Sequence, residues 1–208
     1  MAPSLAELVT PGRCALLLQE VQRGVVEPGH GLGQLAQAVE EIGLVPRLRQ
    51  LTAAARSVGV PVVHCTAADL KNRFGANHNA RLFAAALQAG TLQETDGDKV
   101  QPVDGLWADG DLVIPRFHGL SPLTGSQLDS LLRNEGMTTL VITGVSLNVA
   151  IPNLVFDAVN RSYQVVVATD AVAGVPVEYG QQVVEHTLRL LATLATVAQL
   201  LDVWSVPA

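Results

Sequence analysis

The 208-residue chain has little of what several protein classes require. Its two cysteines, Cys14 and Cys65, are too few for a disulfide framework or a cysteine-rich zinc site. Aromatic residues make up only 4% and the net charge is −6, so neither a base-stacking platform nor a basic nucleic-acid footprint is expected. No apolar run approaches the roughly 20 residues that span a bilayer. We therefore expect a protein that binds neither nucleic acid nor a membrane.

The beginning of the sequence also lacks a basic region followed by a long apolar stretch, the pattern of a secretory signal. With so few cysteines, this predicts a reduced, cytoplasmic protein. Hydrophobic residues make up 49% of the chain. A chain of this size buries about 70% of its unfolded surface, so a large core needs no crosslinks. No repeat or linker divides the sequence, and we predict a single domain over residues 1–208.

Short apolar runs alternate along the chain with segments of helical periodicity. The runs predict strands at residues 14–19, 59–64, 112–115, 139–143, 163–168 and 197–201. Helices are predicted at residues 33–57, with a break near Gly43 and Pro46, and at 80–88, 126–136, 148–160 and 177–194. Because the strands are continuously apolar rather than alternating, the pattern predicts an α/β fold with a six-stranded parallel sheet and helices on both faces.

Polar side chains follow two of these strands at the edge where such sheets bind ligands. Glu20 follows the first strand, and Arg116 and His118 follow the third. Arginine binds a carboxylate through two parallel hydrogen bonds, and histidine titrates near neutral pH. The alternatives are ordinary ones: Glu20 as a solvated loop carboxylate, Arg116 in a surface salt bridge, and His118 as a packing or surface residue.

The fourth strand ends in a tight turn before a helix. Gly144 marks the turn, Ser146 lies within it, and the helix is predicted to begin near Asn148. A helix start offers free N–H groups and a positive dipole, which stabilise an anion or a developing oxyanion. Asn148 is equally suited to capping this helix. No glycine-rich nucleotide motif follows the first strand, so no cofactor is expected.

Five segments in this order resemble the isochorismatase-like hydrolases, also called cysteine hydrolases. The segments are ALLLQEVQ (15–22), LSPLTGSQL (120–128), TLVITGV (139–145), DAVNRSYQVVV (157–167) and TDA (169–171). The resemblance runs from about Cys14 to Leu201. It implies a six-stranded parallel sheet, a small-molecule substrate, and a homodimer or higher homo-oligomer.

Typical members of this family use an aspartate, a lysine and a cysteine. The resemblance assigns Glu20 to the aspartate position, with Gln22 at the glutamine that follows it. Arg116 is the nearest match to the lysine. The family cysteine lies five residues after the valine of the TGV turn, and that position is Ala150. Gln22, His118, Ser146 and Asn148 are then candidates for substrate binding.

An alanine at the nucleophile position excludes an acyl-enzyme intermediate formed there. Isochorismatases proper also lack the thiol, and in them an acid protonates a vinyl ether before water adds. Cys65 follows the second predicted strand and is an alternative nucleophile, although a free cysteine is more often an inert buried residue. Cys14 lies at the wrong edge of the sheet.

Some relatives hold a metal after the second strand, bound by an aspartate and several histidines. His64, Asp69 and His78 lie in this region, but the Asp-x-His spacing is absent, and no metal is expected. Two readings of function follow. The first is a hydrolase of a small anionic or amide-like metabolite, with Glu20 as acid or base and Arg116 as electrostatic anchor. The second is a catalytically inactive homologue that binds a ligand or serves as an assembly subunit.

Overall fold

A six-stranded parallel sheet organises the molecule. The computed structural model describes residues 3–29, 33–90 and 93–205. Its strands are β1 (Cys14–Gln19), β2 (Val62–Ala67), β3 (Leu112–Arg116), β4 (Thr139–Val145), β5 (Gln164–Ala173) and β6 (Thr193–Ala195). They lie in the order β3-β2-β1-β4-β5-β6, and each neighbouring pair is parallel. The order reverses between β1 and β4, which is the switch point where open α/β sheets bind ligands.

Helices connect the strands. They are α1 (Leu5–Leu8), α2 (Arg23–Val26), α3 (Gly33–Glu41), α4 (Leu44–Ser57), α5 (Arg81–Ala89), α6 (Pro122–Gly125), α7 (Leu128–Asn134), α8 (Ala150–Asn160), α9 (Val177–His186) and α10 (Val197–Trp204). The predicted break between α3 and α4 is confirmed at Gly43, which has a positive φ of 61°. Pro46 lies in the first turn of α4, where its missing N–H costs no hydrogen bond.

Both faces of the sheet are covered, as the continuously apolar strands predicted. On one face, Leu16 and Leu18 of β1 pack into a core with residues of α3, α4 and α10. On the other face, Ala15 and Leu17 pack with residues of α7, α8 and α9. Neighbouring β1 side chains therefore point to opposite cores, and every residue of β1 is buried. In the described ranges, no helix combines the length and the apolar character needed to cross a membrane.

The last strand is where the sequence prediction was wrong. Residues 197–201 were expected to form it, but they belong to α10, and β6 lies earlier at Thr193–Ala195. The reason is a capping box: the Thr196 hydroxyl accepts from the Gln199 N–H at 3.2 Å, and the Gln199 side chain accepts from the Thr196 N–H at 2.8 Å. This reciprocal pair starts a helix and overrides the β propensity of the apolar run.

The second strand was also displaced in the prediction. Residues 59–61 form the turn out of α4, with Gly59 at a φ of 77° and the Val60 N–H bonded to Ala55. The strand then continues to Ala67, because its end pairs with Pro115 and Arg116 of β3. This register carries β2 and β3 to a common edge beside the end of β1.

Candidate functional site

The site is assembled at the carboxyl edge of the sheet, where β1 lies between β2 and β4. Gln19, the last residue of β1, is paired with Cys65 on one side and Gly144 on the other. A β-carbon on Gly144 would lie 2.2 Å from the Gln19 carbonyl oxygen, and the Gly144 φ is 102°. Only glycine permits this close approach of two backbones. Glu20 then leaves the strand with a φ of 52°, and its N–H donates to the Cys65 carbonyl at 2.8 Å.

Glu20 and Arg116 form a hydrogen-bonded ion pair at this edge. The Arg116 guanidinium donates to Glu20 Oε1 at 2.6 Å, and the Gln19 side-chain amide donates to the same oxygen at 2.9 Å. The side chains of Glu20 and Arg116 are 17% and 9% exposed. A second guanidinium nitrogen donates to the Gly119 carbonyl. The sequence predicted that both side chains come to this edge, but it did not predict that they bind each other.

The stem of Arg116 lies against Gly125, a residue that was not predicted to belong to the site. A β-carbon on Gly125, in α6, would lie 2.7 Å from Arg116 Cγ and 2.6 Å from the His118 carbonyl oxygen. The absence of a side chain at Gly125 therefore gives the arginine stem its space. Gly125 belongs to the LTGS segment that contributed to the family resemblance. That segment was the feature of the sequence that could have indicated its place in the site.

A cavity of about 110 Å³ lies beside the ion pair. Glu20, Arg116, Ser146 and Ala150 all line it, so four of the sequence-predicted residues come together. Its other walls are mainly apolar and are formed by Val25, Leu35, Ala67, Leu82, Phe83, Ala86, Leu120 and Val149. Among the described residues, the charged groups on the wall are one carboxylate and one guanidinium, and their charges are opposite.

The other three predicted binding residues do not line this cavity. Gln22 is fully buried, and its amide accepts from the Ala67 N–H at 2.7 Å and donates to the Ala67 carbonyl at 2.9 Å. Asn148 is exposed and bonds the backbone of Val175 through both amide atoms. His118 is exposed at the surface. Gln22 and Asn148 thus hold backbone segments in position instead of facing the cavity.

The turn before α8 differs in detail from the expectation. The helix begins at Ala150 rather than near Asn148, and Val149 takes the N-cap position without a side-chain cap. Two of the expected N–H donors are used internally: Leu147 donates to Ala173 at 2.7 Å and Val149 donates to Ser146 at 3.2 Å. Among the described residues, the Ala150 N–H has no such partner. Ala150 therefore brings both a methyl group and an N–H donor to the start of the helix.

Neither cysteine has the environment of a reactive thiol. Cys65 lies within β2 rather than after it, and it is buried. Burial raises the pKa of its thiol; the positive charge of Arg116 opposes this shift and the negative charge of Glu20 adds to it. Cys14 lies at the opposite end of β1, where burial raises its pKa to about 12. Because the thiolate is the nucleophile, these shifts favour the less reactive thiol form of both groups near neutral pH.

The three residues considered for a metal do not converge. His64 faces Asp111, Asp69 forms an ion pair with Arg73 at 3.3 Å, and His78 lies with Asp69 on the wall of a separate small cavity. Across the described part of the chain, no group of three or more His, Cys, Asp or Glu side chains is arranged to hold a metal ion.

His64 instead belongs to a buried cluster between β2, β3 and α4. Its Nε2 lies 3.1 Å from Asp111 Oδ2, and Arg56 binds both oxygens of Asp111 at 2.9 and 2.6 Å. Burial lowers the pKa of His64; Asp111 opposes this shift and the charge of Arg56 adds to it. For Asp111, burial raises the pKa, but hydrogen bonds from Arg56, His64 and the backbone of Ala108 bring it below its usual value.

This cluster predicts a loss of stability in mild acid. Below the ordinary His64 pKa of 6.5, the unfolded chain takes up a proton that the native protein resists. The free energy of unfolding should therefore fall with decreasing pH, by up to about 1.4 kcal/mol per pH unit. Urea unfolding between pH 5 and pH 7 measures this slope. His64→Gln should flatten it and His186→Gln, at an exposed histidine, should not; an equal slope in both variants would contradict the assignment.

Comparison with known proteins identifies the fold and the family. The isochorismatase domain model matches residues 14–199. A ureidoacrylate amidohydrolase RutB from Pseudomonas syringae pv. syringae is 28% identical over 185 residues, which cover 83% of this chain and 75% of that protein. An isochorismatase family protein from Desulfovibrio vulgaris is 25% identical, with a TM-score of 0.77 over 93% of this chain and 98% of that chain.

A cysteine hydrolase from Pseudomonas syringae pv. phaseolicola has the same fold, with a TM-score of 0.80 over 99% of both chains and 19% identity. The six-stranded parallel architecture predicted from the sequence is thus also that of solved structures. The family resemblance carried by the five sequence segments is confirmed as well. The chain belongs to the isochorismatase family.

Proposed function

We propose that this protein is an isochorismatase-like hydrolase that cleaves a small neutral metabolite by acid–base catalysis, without a cysteine nucleophile. The observation that carries the proposal is the Glu20–Arg116 ion pair on the wall of the same cavity as Ala150. A carboxylate on a cavity wall is a proton acceptor, and a methyl group at position 150 leaves water as the attacking group.

Glu20 acts as the general base in this proposal. The guanidinium of Arg116 donates to Glu20 Oε1 and holds the carboxyl group at the cavity wall. With an amide, urea or ester, water attacks the substrate carbonyl carbon and gives a proton to Glu20. As the bond to the leaving group breaks, Glu20 passes that proton to the leaving atom. The N–H of Ala150 is the candidate donor to the oxygen that gains charge.

The substrate is proposed to be neutral because Arg116 is already occupied. Its guanidinium already pairs with the Glu20 carboxylate, so a substrate carboxylate bound there would share one positive charge with Glu20 and lie close to a like charge. A sheet-edge cavity with mainly apolar walls, such as Leu82, Phe83 and Leu120, also favours an uncharged molecule. The relatives named ureidoacrylate amidohydrolase act, by that name, on a carboxylate; for this chain they support only the amide-type bond as the class to examine first.

The expectations about domain organisation, location, cofactors and partners are kept in the proposal. We propose one domain over residues 1–208, a cytoplasmic location, no resident cofactor or metal, and no nucleic-acid or membrane partner. A homodimer or higher homo-oligomer is proposed from the family resemblance. The competing function is an inactive homologue that binds a ligand, and it is favoured by the same methyl group at Ala150.

A substrate panel tests the proposal. Purified protein is given small amides, ureas, esters and vinyl ethers, each paired with an analogue of similar size that carries a carboxylate. We expect turnover of at least one neutral compound, with kcat/KM at least about tenfold above that of its charged analogue, a difference of roughly 1.4 kcal/mol. Turnover confined to the carboxylates would overturn the neutral substrate. No turnover, with a compound that still raises the Tm, would favour the binding role.

A further inference from the structure

A second cavity opens at the same edge of the sheet, on the far side of the turn after β4. Its volume is about 390 Å³, within the range of small-molecule sites. Leu147 lines this cavity, whereas Ser146, Val149 and Ala150 line the cavity beside Glu20. The turn therefore separates two cavities, which have no lining residue in common among those that the structure describes. The proposed hydrolysis uses only the smaller one.

An irregularity in β5 forms one wall of this second cavity. Ile142 pairs with Val167 and Gly144 pairs with Val172, so a single β4 residue lies opposite residues 168–171 of β5. The extra residues include Thr169 and Asp170 of the TDA segment, which both line the cavity and have no role in the proposed hydrolysis. Such bulges redirect side chains next to functional sites.

The bulge is anchored on its outer side. The Thr169 hydroxyl donates to the Ala195 carbonyl at 3.3 Å, and Asp170 Oδ1 accepts from the Val197 N–H at 2.8 Å. These bonds tie β5 to β6 and to the start of α10. They fix the position of the Asp170 carboxylate. Its other oxygen, Oδ2, faces Arg47 and lies 3.6 Å from Arg47 Nε.

Arg47 supplies a positive charge with unused donors. Its side chain is 41% exposed, and 3.6 Å from Asp170 is too long for a hydrogen bond. Among the described residues, the guanidinium donates no hydrogen bond to any other side chain or carbonyl. A planar guanidinium with open donors binds a carboxylate in a bidentate manner. Asp170 keeps it beside the cavity without consuming those donors.

The other lining groups define the rest of the ligand. The carboxylates of Glu41 and Asp170 accept hydrogen bonds from an ammonium group, and Ile42, Leu147 and Val184 offer apolar contact. From this arrangement we infer a second binding site for a small zwitterion with an apolar side chain, of the size and charge of an α-amino acid. Its carboxylate binds Arg47, its ammonium group lies near Asp170 and Glu41, and its side chain lies against the apolar wall.

Calorimetric titration with L-valine, L-leucine, L-methionine and L-phenylalanine tests the site. We expect at least one to bind with 1:1 stoichiometry and a Kd below about 1 mM. Its decarboxylated amine and its deaminated acid should bind at least about tenfold more weakly, since each lacks one charged contact. If none of the four amino acids binds at about 10 mM, ten times that Kd limit, the inference is overturned.

Two variants locate the binding, each with a matched control. Arg47→Gln removes the guanidinium, and Gln181→Trp places a large side chain at a lining position of α9. Both should weaken binding at least about tenfold. Arg189→Gln and Gln182→Trp, at exposed residues outside the cavity lining, should leave it unchanged. Binding that survives in Arg47→Gln but is lost in Glu20→Gln would place the ligand in the other cavity and overturn the inference.

Discussion

Glu20→Gln is expected to lower the turnover of the best neutral substrate by about 10²–10⁴-fold, the usual contribution of a general acid or base. The amide has nearly the shape of the carboxylate, and its oxygen still accepts from Arg116. It does not accept a proton from water, so the attacking water is no longer activated. The measurement is kcat and KM on the compound selected from the panel, with the main loss in kcat.

The control for this variant is Glu40→Gln, which removes an exposed carboxylate from α3. It should retain full activity. Because Arg116 loses its negative partner in Glu20→Gln, the Tm and the circular dichroism spectrum must be recorded beside the rates. A folded Glu20→Gln protein with wild-type kcat would eliminate Glu20 as the base. An equal loss in Glu40→Gln would show that the effect is not specific to the cavity.

Gly144→Ala is expected to have the largest effect on stability. Its β-carbon would lie 2.2 Å from the Gln19 carbonyl oxygen and 2.8 Å from the Gln19 nitrogen, both atoms of a central strand. Because neither atom belongs to a flexible side chain, β1 and β4 must separate where Glu20 leaves the sheet. We expect a loss of at least about 3 kcal/mol, which combines overpacking with the cost of a positive φ in alanine.

Gly136→Ala separates the two causes. Gly136 also has a positive φ, of 71°, but nothing lies within 4 Å of its added β-carbon. This variant should lose only about 1–2 kcal/mol, the conformational term alone. Thermal unfolding of both proteins measures the difference, and about 1 kcal/mol corresponds to roughly 2–4 °C in a protein of this size. Equal Tm values for the two variants would refute the steric account of Gly144.

The sequence predicted the fold well because the strands signal themselves locally. The run at Cys14–Gln19 is continuously apolar, and the structure assigns β1 to the same six residues. The predicted ends of helices and strands were less accurate where a capping side chain determines the boundary. Residues 197–201 have the apolar character of a strand, yet Thr196 and Gln199 cap a helix there. A T-x-x-Q spacing at the start of an apolar run indicates the beginning of a helix.

The composition of the site could be predicted only in part. Glu20 and Arg116 follow β1 and β3, and the carboxyl ends of parallel strands meet at one edge, so their approach follows from topology. Gln22, His118 and Asn148 follow the same rule in sequence but do not reach the cavity. The direction of a loop side chain depends on its backbone partners, such as Ala67 for Gln22, and these are distant in the chain.

By itself, the order of apolar runs and helical segments determined a parallel α/β sheet, and the residue types after the strands determined which groups are available at its edge. Only the tertiary structure decided that Arg116 is bound to Glu20, that Ala150 and Ser146 share their cavity, and that Thr169 and Asp170 line another one. The physical reason is the separation along the chain of the residues that interact. Strand and helix formation depends on neighbours within a few residues, whereas a contact between side chains 96 residues apart depends on strand order, register and the space left by Gly125 and Gly144.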